Sequence, residues 1–264
     1  MAKKRVMAPP EAPFEERLEQ FARMLAASNK LVIFTGAGIS TDSGLPDYRG
    51  PEGVWTRRDK GLPPPRWKVR PDEVRPNISH EAVVELQQMG KLKFLISQNV
   101  DGLHMLSGIR EDMIAELHGN SKLMRCLACD SKFSQDEVGW DEERWGHGYR
   151  TSAPVKGQPV CPKCGGRIIS SVVNFGDPMP EKEMKLAEMH SRDCDLFVVL
   201  GSSLVVQPAA NMPVHAHKCG AKLVIVNQGA TPLERIADLR FYEGIAEVLP
   251  PAVERLKALM AKRR

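Results

Sequence analysis

No apolar run in the chain approaches the roughly 20 residues that a membrane-spanning helix needs, so a membrane role is not expected of these 264 residues. The N-terminal Met-Ala-Lys-Lys-Arg-Val is basic, but it runs into Ala-Pro-Pro-Glu-Ala-Pro where a secretion signal would carry its apolar stretch. The protein is therefore expected inside the cell, in the cytoplasm or, in a eukaryote, the nucleus. There is no internal repeat and no extended low-complexity tract. The body of the chain also lacks strong charge of either sign. Lys3, Lys4, Arg5, Lys262, Arg263 and Arg264 are six cations at the two ends, and without them the net charge of +4 becomes −2. Those basic tails, 1–11 and 256–264, read first as solvated ends and second as a weak contact for nucleic acid. Disulfides are not expected either. Four of the six cysteines fall in two Cys-x-x-Cys pairs, a spacing that suits a metal in an intracellular protein. Cys194 and Cys219 lie beside apolar runs and are expected to pack in the interior.

What the chain does contain is an alternation of short apolar runs and amphipathic helices. Glu15 to Asn29 places Leu18, Phe21, Ala22 and Leu25 at helical spacing, and Leu31 to Phe34 then runs apolar into Thr35-Gly36. Ala82–Met89 and Leu92–Ile96 repeat the pattern, a further helix and strand follow, and Glu181–His190, Leu196–Leu200 and Lys222–Val226 continue it. Continuous apolar strands alternating with helices imply a doubly wound, Rossmann-like α/β domain with a parallel sheet. Gly36, Asn99, Ser202 and Asn227 stand at four strand ends, where such sheets bind ligands. Two stretches interrupt the alternation, 46–76 and about 121–170. The expected organisation is a Rossmann-like domain of 12–120 and 171–255, with 46–76 inserted and 121–170 as a smaller metal-binding lobe.

Several local motifs carry chemistry, each beside a plainer reading. Gly36-Ala37-Gly38 after a strand lets bare backbone approach a pyrophosphate, although such glycines also serve close packing. The third glycine of a hydride-transfer fingerprint is missing, because position 41 is Thr41. No acidic residue stands at the expected distance for the ribose. Gln98-Asn99-Val100-Asp101-Gly102 is a polar cluster suited to an amide or a ribose, or simply a turn. His118, in Leu117-His-Gly-Asn, is a candidate proton acceptor, while a single histidine is commonly structural. Cys126/Cys129 and Cys161/Cys164 present four thiolates, enough to close a tetrahedral zinc site with no open position. Redox dithiols are the alternative, but that chemistry needs only one pair. The 31 residues between Cys129 and Cys161 require an excursion, expected over Trp140–Gln158. The other histidines read as structural or surface groups.

Taken in order, Thr35–Ser40, Gly44-Leu-Pro-Asp-Tyr-Arg-Gly50, Gln98–His104, His118-Gly-Asn120, the four cysteines, Phe175-Gly-Asp177, Gly201–Val206 and Val226-Asn227 resemble the sirtuin (Sir2) family of NAD-dependent protein deacylases. The resemblance runs from about residue 15 to residue 250, and Asp47–Trp55 is most similar to the class IV branch. It implies that Gly36, Ala37 and Gly38 hold the NAD pyrophosphate beneath a segment containing Asp47, Tyr48, Arg49 and Trp55. Gln98, Asn99 and Asp101, with Ile39, would line the ribose and nicotinamide pocket. Gly201, Ser202, Ser203, Asn227 and Ile245 would surround the adenosine. His118 would be the general base, with Asn99 beside it in the catalytic centre, and Val173, Phe175 and Val206 would form a tunnel for an acyl-lysine whose peptide adds as a strand. NAD would be consumed as a co-substrate and zinc would be structural. The implied products are lysine, nicotinamide and O-acyl-ADP-ribose.

Three departures bear on that carry-over. Tyr48 stands where Phe is common; Asn174 and Asp177 fall in a stretch that is often Phe-Phe-Gly-Glu; and the Tyr-x-x-Arg pair associated with acidic acyl groups is not apparent after Trp55-Thr-Arg-Arg58. A neutral acyl group, acetyl or a longer fatty chain, is the expectation. Two alternatives use the same pocket: an ADP-ribosyltransferase or NAD hydrolase, and a non-catalytic zinc-bearing module that binds NAD or acyl-lysine.

Overall fold

A computed structural model describes residues 12–262. In chain order the elements are α1 (Phe14–Ala27), β1 (Leu31–Thr35), α2 (Val54–Asp59), α3 (Ile78–Gln88), β2 (Leu92–Ser97), α4 (Leu103–Ser107), β3 (Ile114–Glu116), β4 (Leu123–Cys126), β5 (Lys132–Ser134), α5 (Gln135–Val138), α6 (Glu142–Trp145), β6 (Ile168–Ser170), α7 (Glu181–Asp193), β7 (Leu196–Leu200), α8 (Met212–Lys218), β8 (Lys222–Val226), β9 (Leu239–Phe241) and α9 (Ile245–Ala261). Six strands form one sheet in the order β3-β2-β1-β7-β8-β9, and every pairing in it is parallel. The order reverses between β1 and β7, which makes the crevice at their carboxyl ends the topological switch point.

Alternation along each strand divides the core in two. Leu31 and Ile33, Leu196, Val198 and Leu200, and Val224 and Val226 pack on one face with residues of α1, α3 and α9. Val32 and Phe34, Phe197 and Val199, and Leu223 and Ile225 face the other side with residues of α7 and α8. Each fully buried side chain of this size contributes roughly 1.5–3 kcal/mol, so strands buried on both faces read as unbroken apolar runs.

The second sheet is small and antiparallel, in the order β5-β4-β6. It packs Met124, Cys126, Phe133, Trp140, Cys161 and Ile168 together. The excursion after it closes on itself, with Gly148 set where a Cβ would lie 2.5 Å from the Trp140 ring.

Two sequence expectations are corrected. Cys219 is exposed at the end of α8, because that end of the helix faces solvent, whereas Cys194 is buried as expected. The expected tail from residue 256 is helix as far as Ala261, with Leu256 fully buried in the core. Pro250 and Pro251 inside α9 disguise that helix in the sequence, and burial of Val248, Leu249, Ala252, Val253 and Leu256 offsets the amide hydrogen bonds those prolines cannot make. Residues 1–11 and 263–264, which hold the remaining basic tails, lie outside the described residues.

Candidate functional site

The glycine turn after β1 is packed against the turn after β7. Gly36 N–H donates to the Leu200 carbonyl at 3.0 Å and Gly38 N–H to the Gly201 carbonyl at 2.9 Å. A Cβ on Gly38 would lie 2.6 Å from the Gly201 Cα, and one on Gly36 would lie 2.7 Å from the Gly201 oxygen. Backbone therefore meets backbone across the switch point, and Gly201 adopts a φ of 64°. Close packing is what these glycines are seen to serve, because a side chain at either position would meet the backbone of the turn after β7. Ala37–Ser43 continues as a short 3-10 helix, with Ile39 buried in the core.

The cluster after β2 is knitted to that turn. The Gln98 amide donates to the Ser202 hydroxyl at 2.8 Å and to the Thr35 carbonyl at 3.3 Å. The Ser40 hydroxyl donates to Asp101 Oδ2 at 2.7 Å and accepts from Asn99 Nδ2 at 3.2 Å. Sequence reasoning did not single out Ser40, although it closes the glycine motif; the structure makes it the bridge between Asn99 and Asp101. Asp101 also accepts from the N–H of Leu103, the first residue of α4, at 2.9 Å.

Beside this cluster lie two buried histidines that the sequence left as structural or surface groups. His104 Nε2 is 2.9 Å from the Thr35 hydroxyl, and its ring centroid is 5.0 Å from that of His80. Burial pushes His80 down to about 4, partly opposed by the Asp101 carboxylate; His104 is held well below its ordinary value by burial and then by His80. Both are neutral at neutral pH.

His118 follows β3 on a turn closed by Gly119 N–H to the Glu116 carbonyl at 3.0 Å. Gly119 has a φ of 79°, and a Cβ there would lie 1.9 Å from the Ser171 oxygen, so only glycine fits between the turn and the chain returning from the small lobe. His118 Nδ1 lies 2.8 Å from the Gln98 carbonyl. A carbonyl only accepts, so the proton sits on Nδ1 and Nε2 keeps its lone pair. Burial lowers the imidazole below its ordinary value, partly opposed by that hydrogen bond. The result is a neutral, oriented base at neutral pH.

The segment Asp47–Trp55 is ordered by its own carboxylate. Asp47 accepts from Gly50 N–H at 3.2 Å, and burial holds it above its usual range. Tyr48 and Trp55 pack with ring centroids 5.8 Å apart, and the Arg58 guanidinium lies 4.6 Å from the Trp55 centroid. Arg49 is exposed. Phe175 presents its ring to Trp55 at 6.0 Å while 81% exposed; Val173 and Val206 are half-buried. Asp177 accepts from Asn174 N–H at 3.2 Å and so closes a local turn. Toward the other end of the sheet, Asn227 donates to the Gly229 carbonyl at 2.8 Å, Ser203 is half-buried, and Ile245 is buried at the start of α9.

The four cysteines converge. Cys126 and Cys164 sulfurs are 3.5 Å apart and those of Cys129 and Cys161 are 3.6 Å apart, and all four lie within 4.8 Å of one another. A disulfide needs about 2.05 Å, whereas a tetrahedral site with Zn–S bonds of about 2.3 Å has sulfur–sulfur edges of about 3.8 Å. A Cβ on Gly166 would lie 2.9 Å from the Cys126 sulfur, so the chain closes tightly around the cluster. Four thiol donors at this spacing fit a zinc ion with no open position.

The Sir2 family model matches residues 64–208. An NAD-dependent protein deacetylase of Rhodopseudomonas palustris is 38% identical over 253 residues, covering 89% of this chain and 96% of that protein. NAD-dependent protein deacetylase SRT1 of Arabidopsis thaliana is also 38% identical over 91% of this chain, which spans about half, 49%, of that longer relative. Among solved structures, a Sir2 protein with a deacetylated p53 peptide and 3′-O-acetyl ADP-ribose superposes with a TM-score of 0.69 at 31% identity, covering 90% of this chain and 97% of that one. With its oriented histidine and four-cysteine cluster falling within the residues that the family model matches, the chain belongs to the Sir2 family.

Proposed function

We infer that the protein is an NAD-dependent protein-lysine deacylase that transfers the acyl group of a lysine side chain to ADP-ribose. The observation that carries this reading is the His118 imidazole, held neutral by burial and fixed in one tautomer by the Gln98 carbonyl, beside the crevice where Gly36 and Gly38 meet Gly201. NAD supplies the electrophilic ribose carbon once nicotinamide departs. The acyl oxygen takes the place of nicotinamide on that carbon, and His118 Nε2 then takes the proton from a neighbouring ribose hydroxyl whose oxygen attacks the acyl carbon. The lysine nitrogen leaves with a proton, and water adds at the acyl carbon, freeing the oxygen left on the ribose carbon as a hydroxyl. Ser40 holds Asn99 and Asp101 in one hydrogen-bonded unit, which presents fixed dipoles to the nicotinamide end. The glycine turns receive the pyrophosphate, and Ser202, Ser203, Asn227 and Ile245 take the adenosine side. Tyr48, Trp55 and Phe175 form the aromatic cover at the mouth, with Val173 and Val206 lining the acyl path. Zinc, held by the four cysteines, is structural, because their four sulfurs leave it no position for a substrate.

Three finer readings belong with this one. We read Asp47–Trp55 as most similar to the class IV branch. The acyl group is neutral, since no Tyr-x-x-Arg pair follows Trp55. The protein works inside the cell, where its cysteines stay reduced, and any contact with nucleic acid is weak and made by the basic ends.

The decisive experiment incubates the protein with NAD and a panel of acyl-lysine peptides and follows every mass. The expected result is equal release of nicotinamide, deacylated peptide and O-acyl-ADP-ribose, with His118→Tyr lowering turnover by at least about a hundredfold. Nicotinamide release without loss of acyl mass would instead mark an ADP-ribosyltransferase or an NAD hydrolase. Turnover unchanged in His118→Tyr would remove the base from the mechanism.

A further inference from the structure

The turn that carries His118 is gripped by a buried charge cluster whose members come from both sheets. Glu116, the last residue of β3, is 5% exposed, and Glu183, in the first turn of α7, is also 5% exposed. Between them comes Lys132, the first residue of β5 in the small lobe. Its ammonium lies 2.6 Å from Glu183 Oε1 and 3.9 Å from Glu116 Oε2. The second oxygen of Glu116 accepts from Asn120 Nδ2 at 2.7 Å. Glu116 therefore embraces the His118-Gly119-Asn120 turn twice, through its backbone carbonyl to Gly119 N–H and through its side chain to Asn120.

The placement of Lys132 depends in turn on the cysteine cluster. Cys126 ends β4 and Cys129 lies in the β4–β5 turn, where Cys126 N–H donates to the Ser131 carbonyl at 3.0 Å and Asp130 N–H to the Cys126 carbonyl at 3.1 Å. Arg125 pairs in register with Lys132. The hairpin that gathers two of the four thiols thus aims Lys132 between a buried carboxylate of β3 and one of α7.

We propose that Lys132 is a positioning residue for proton transfer at His118: the metal-held hairpin inserts its ammonium between Glu116 and Glu183, and Glu116 holds the turn that presents the imidazole. The inference rests on the deacylase reading and deepens it, because it makes the small lobe part of the alignment of the base. Burial raises Glu116 to about 7 even with Lys132 nearby, Lys132 and Asn120 opposing and Glu183 and Asp101 adding to the rise. Without Lys132, two buried carboxylates would face each other with no cation between them. Glu116 would then protonate or swing toward water, and Asn120 would lose its charged acceptor.

The test compares the full-length, zinc-loaded protein with Lys132→Met, Lys132→Arg, Glu116→Gln and the Lys132→Met/Glu116→Gln double variant. Lys132→Met is expected to lower kcat about tenfold while KM for NAD and for acyl-peptide stays within about twofold, the pattern of a displaced base and not of lost binding. Lys132→Arg should recover most of that loss. Glu116→Gln, which keeps its shape and its acceptor for Asn120 but removes the charge, should lower kcat similarly. The double variant should lose no more than either single change, because both break one bridge. Additive losses, or wild-type kcat in Lys132→Met with bound zinc, would overturn the proposal. If Lys132→Met does not fold, Glu116→Gln decides it, and normal kcat there is the overturning result. The imidazole nitrogen resonances of His118 provide a readout independent of turnover. They should shift in Lys132→Met and return in Lys132→Arg. If the wild type shows no deacylation, the functional reading fails, while unchanged His118 resonances in Lys132→Met would defeat the positioning role separately.

Discussion

The six-stranded sheet buries apolar side chains on both faces beneath helices, whereas the three-stranded lobe gathers six buried side chains, two of them the cysteines Cys126 and Cys161. In the first region side-chain burial alone is extensive enough to hold the strands. In the second, strands of three and four residues enclose too little apolar surface, and a metal ion takes the place of part of a core. The contrast implies that the two regions fail under different insults.

Removing the metal should break the comparison most sharply. A structural zinc contributes on the order of 10 kcal/mol to the fold that binds it, so chelation or Cys161→Ser should abolish hydrogen-exchange protection over 123–170 while Leu196–Leu200 stays protected. Deacylation should be lost as well. Protection unchanged across the lobe would show that its small core suffices without metal.

A cavity in the large sheet is the next largest change. Phe197 is fully buried and packs on Phe34 with centroids 6.0 Å apart, so Phe197→Ala should cost about 3–5 kcal/mol, measured as a lower denaturant midpoint. Stoichiometric zinc should remain bound below that midpoint. Loss of zinc in step with the sheet would mean that the two regions unfold as one.

Acid should act with two opposite signs, through His80 within the large domain and through Glu116 beside the small lobe. His80 has its native value lowered to about 4, so the stability it contributes is present above its unfolded value near 6.5 and is lost as pH falls toward 4. Glu116 is raised to about 7, so its contribution is present below the unfolded value near 4.5 and is lost as pH rises through 7. The two partly cancel between pH 7 and pH 5. Glu116→Gln should remove the compensating half and steepen the acid loss by on the order of 2 kcal/mol over that interval, read from urea titrations at both pH values. Parallel pH dependence in wild type and variant would show that Glu116 does not titrate in this range.

The same division governs how much was legible. Leu196–Leu200 and Lys222–Val226 have the bounds their apolar runs suggest, because a strand covered on both faces needs an apolar side chain at nearly every position. Boundaries set by polar contacts were less plain. The helix expected from Ala82 begins at Ile78, since Asn77 caps it by accepting from Ser79 N–H at 2.9 Å. The helix α9 was hidden by its two prolines, and the three-residue strands β6 and β9 are too short to show a period. At the site, the two cysteine pairs were legible from their spacing, whereas the glycines, Asn99, Asp101 and His118 each had a plainer local reading and acquired a role only from the resemblance of the ordered motifs to the Sir2 family. Ser40 and Lys132 were not, since a serine or a lysine at the end of a turn is ordinary until its partner is known.

Residue order settles what depends on neighbours a few positions away. It sets the alternation that makes the parallel sheet, the turns that require glycine at 36, 38 and 119, and the paired thiols of the small lobe. Folding settles what depends on distant pairs. Ser40 meets Asp101 across 61 positions, Gln98 meets Ser202 across 104, and Lys132 meets Glu183 across 51. Apolar periodicity is written locally and can be read one segment at a time. A hydrogen bond or an ion pair has its geometry only when two segments have been brought together, and the orientation of His118 is a property of that assembly.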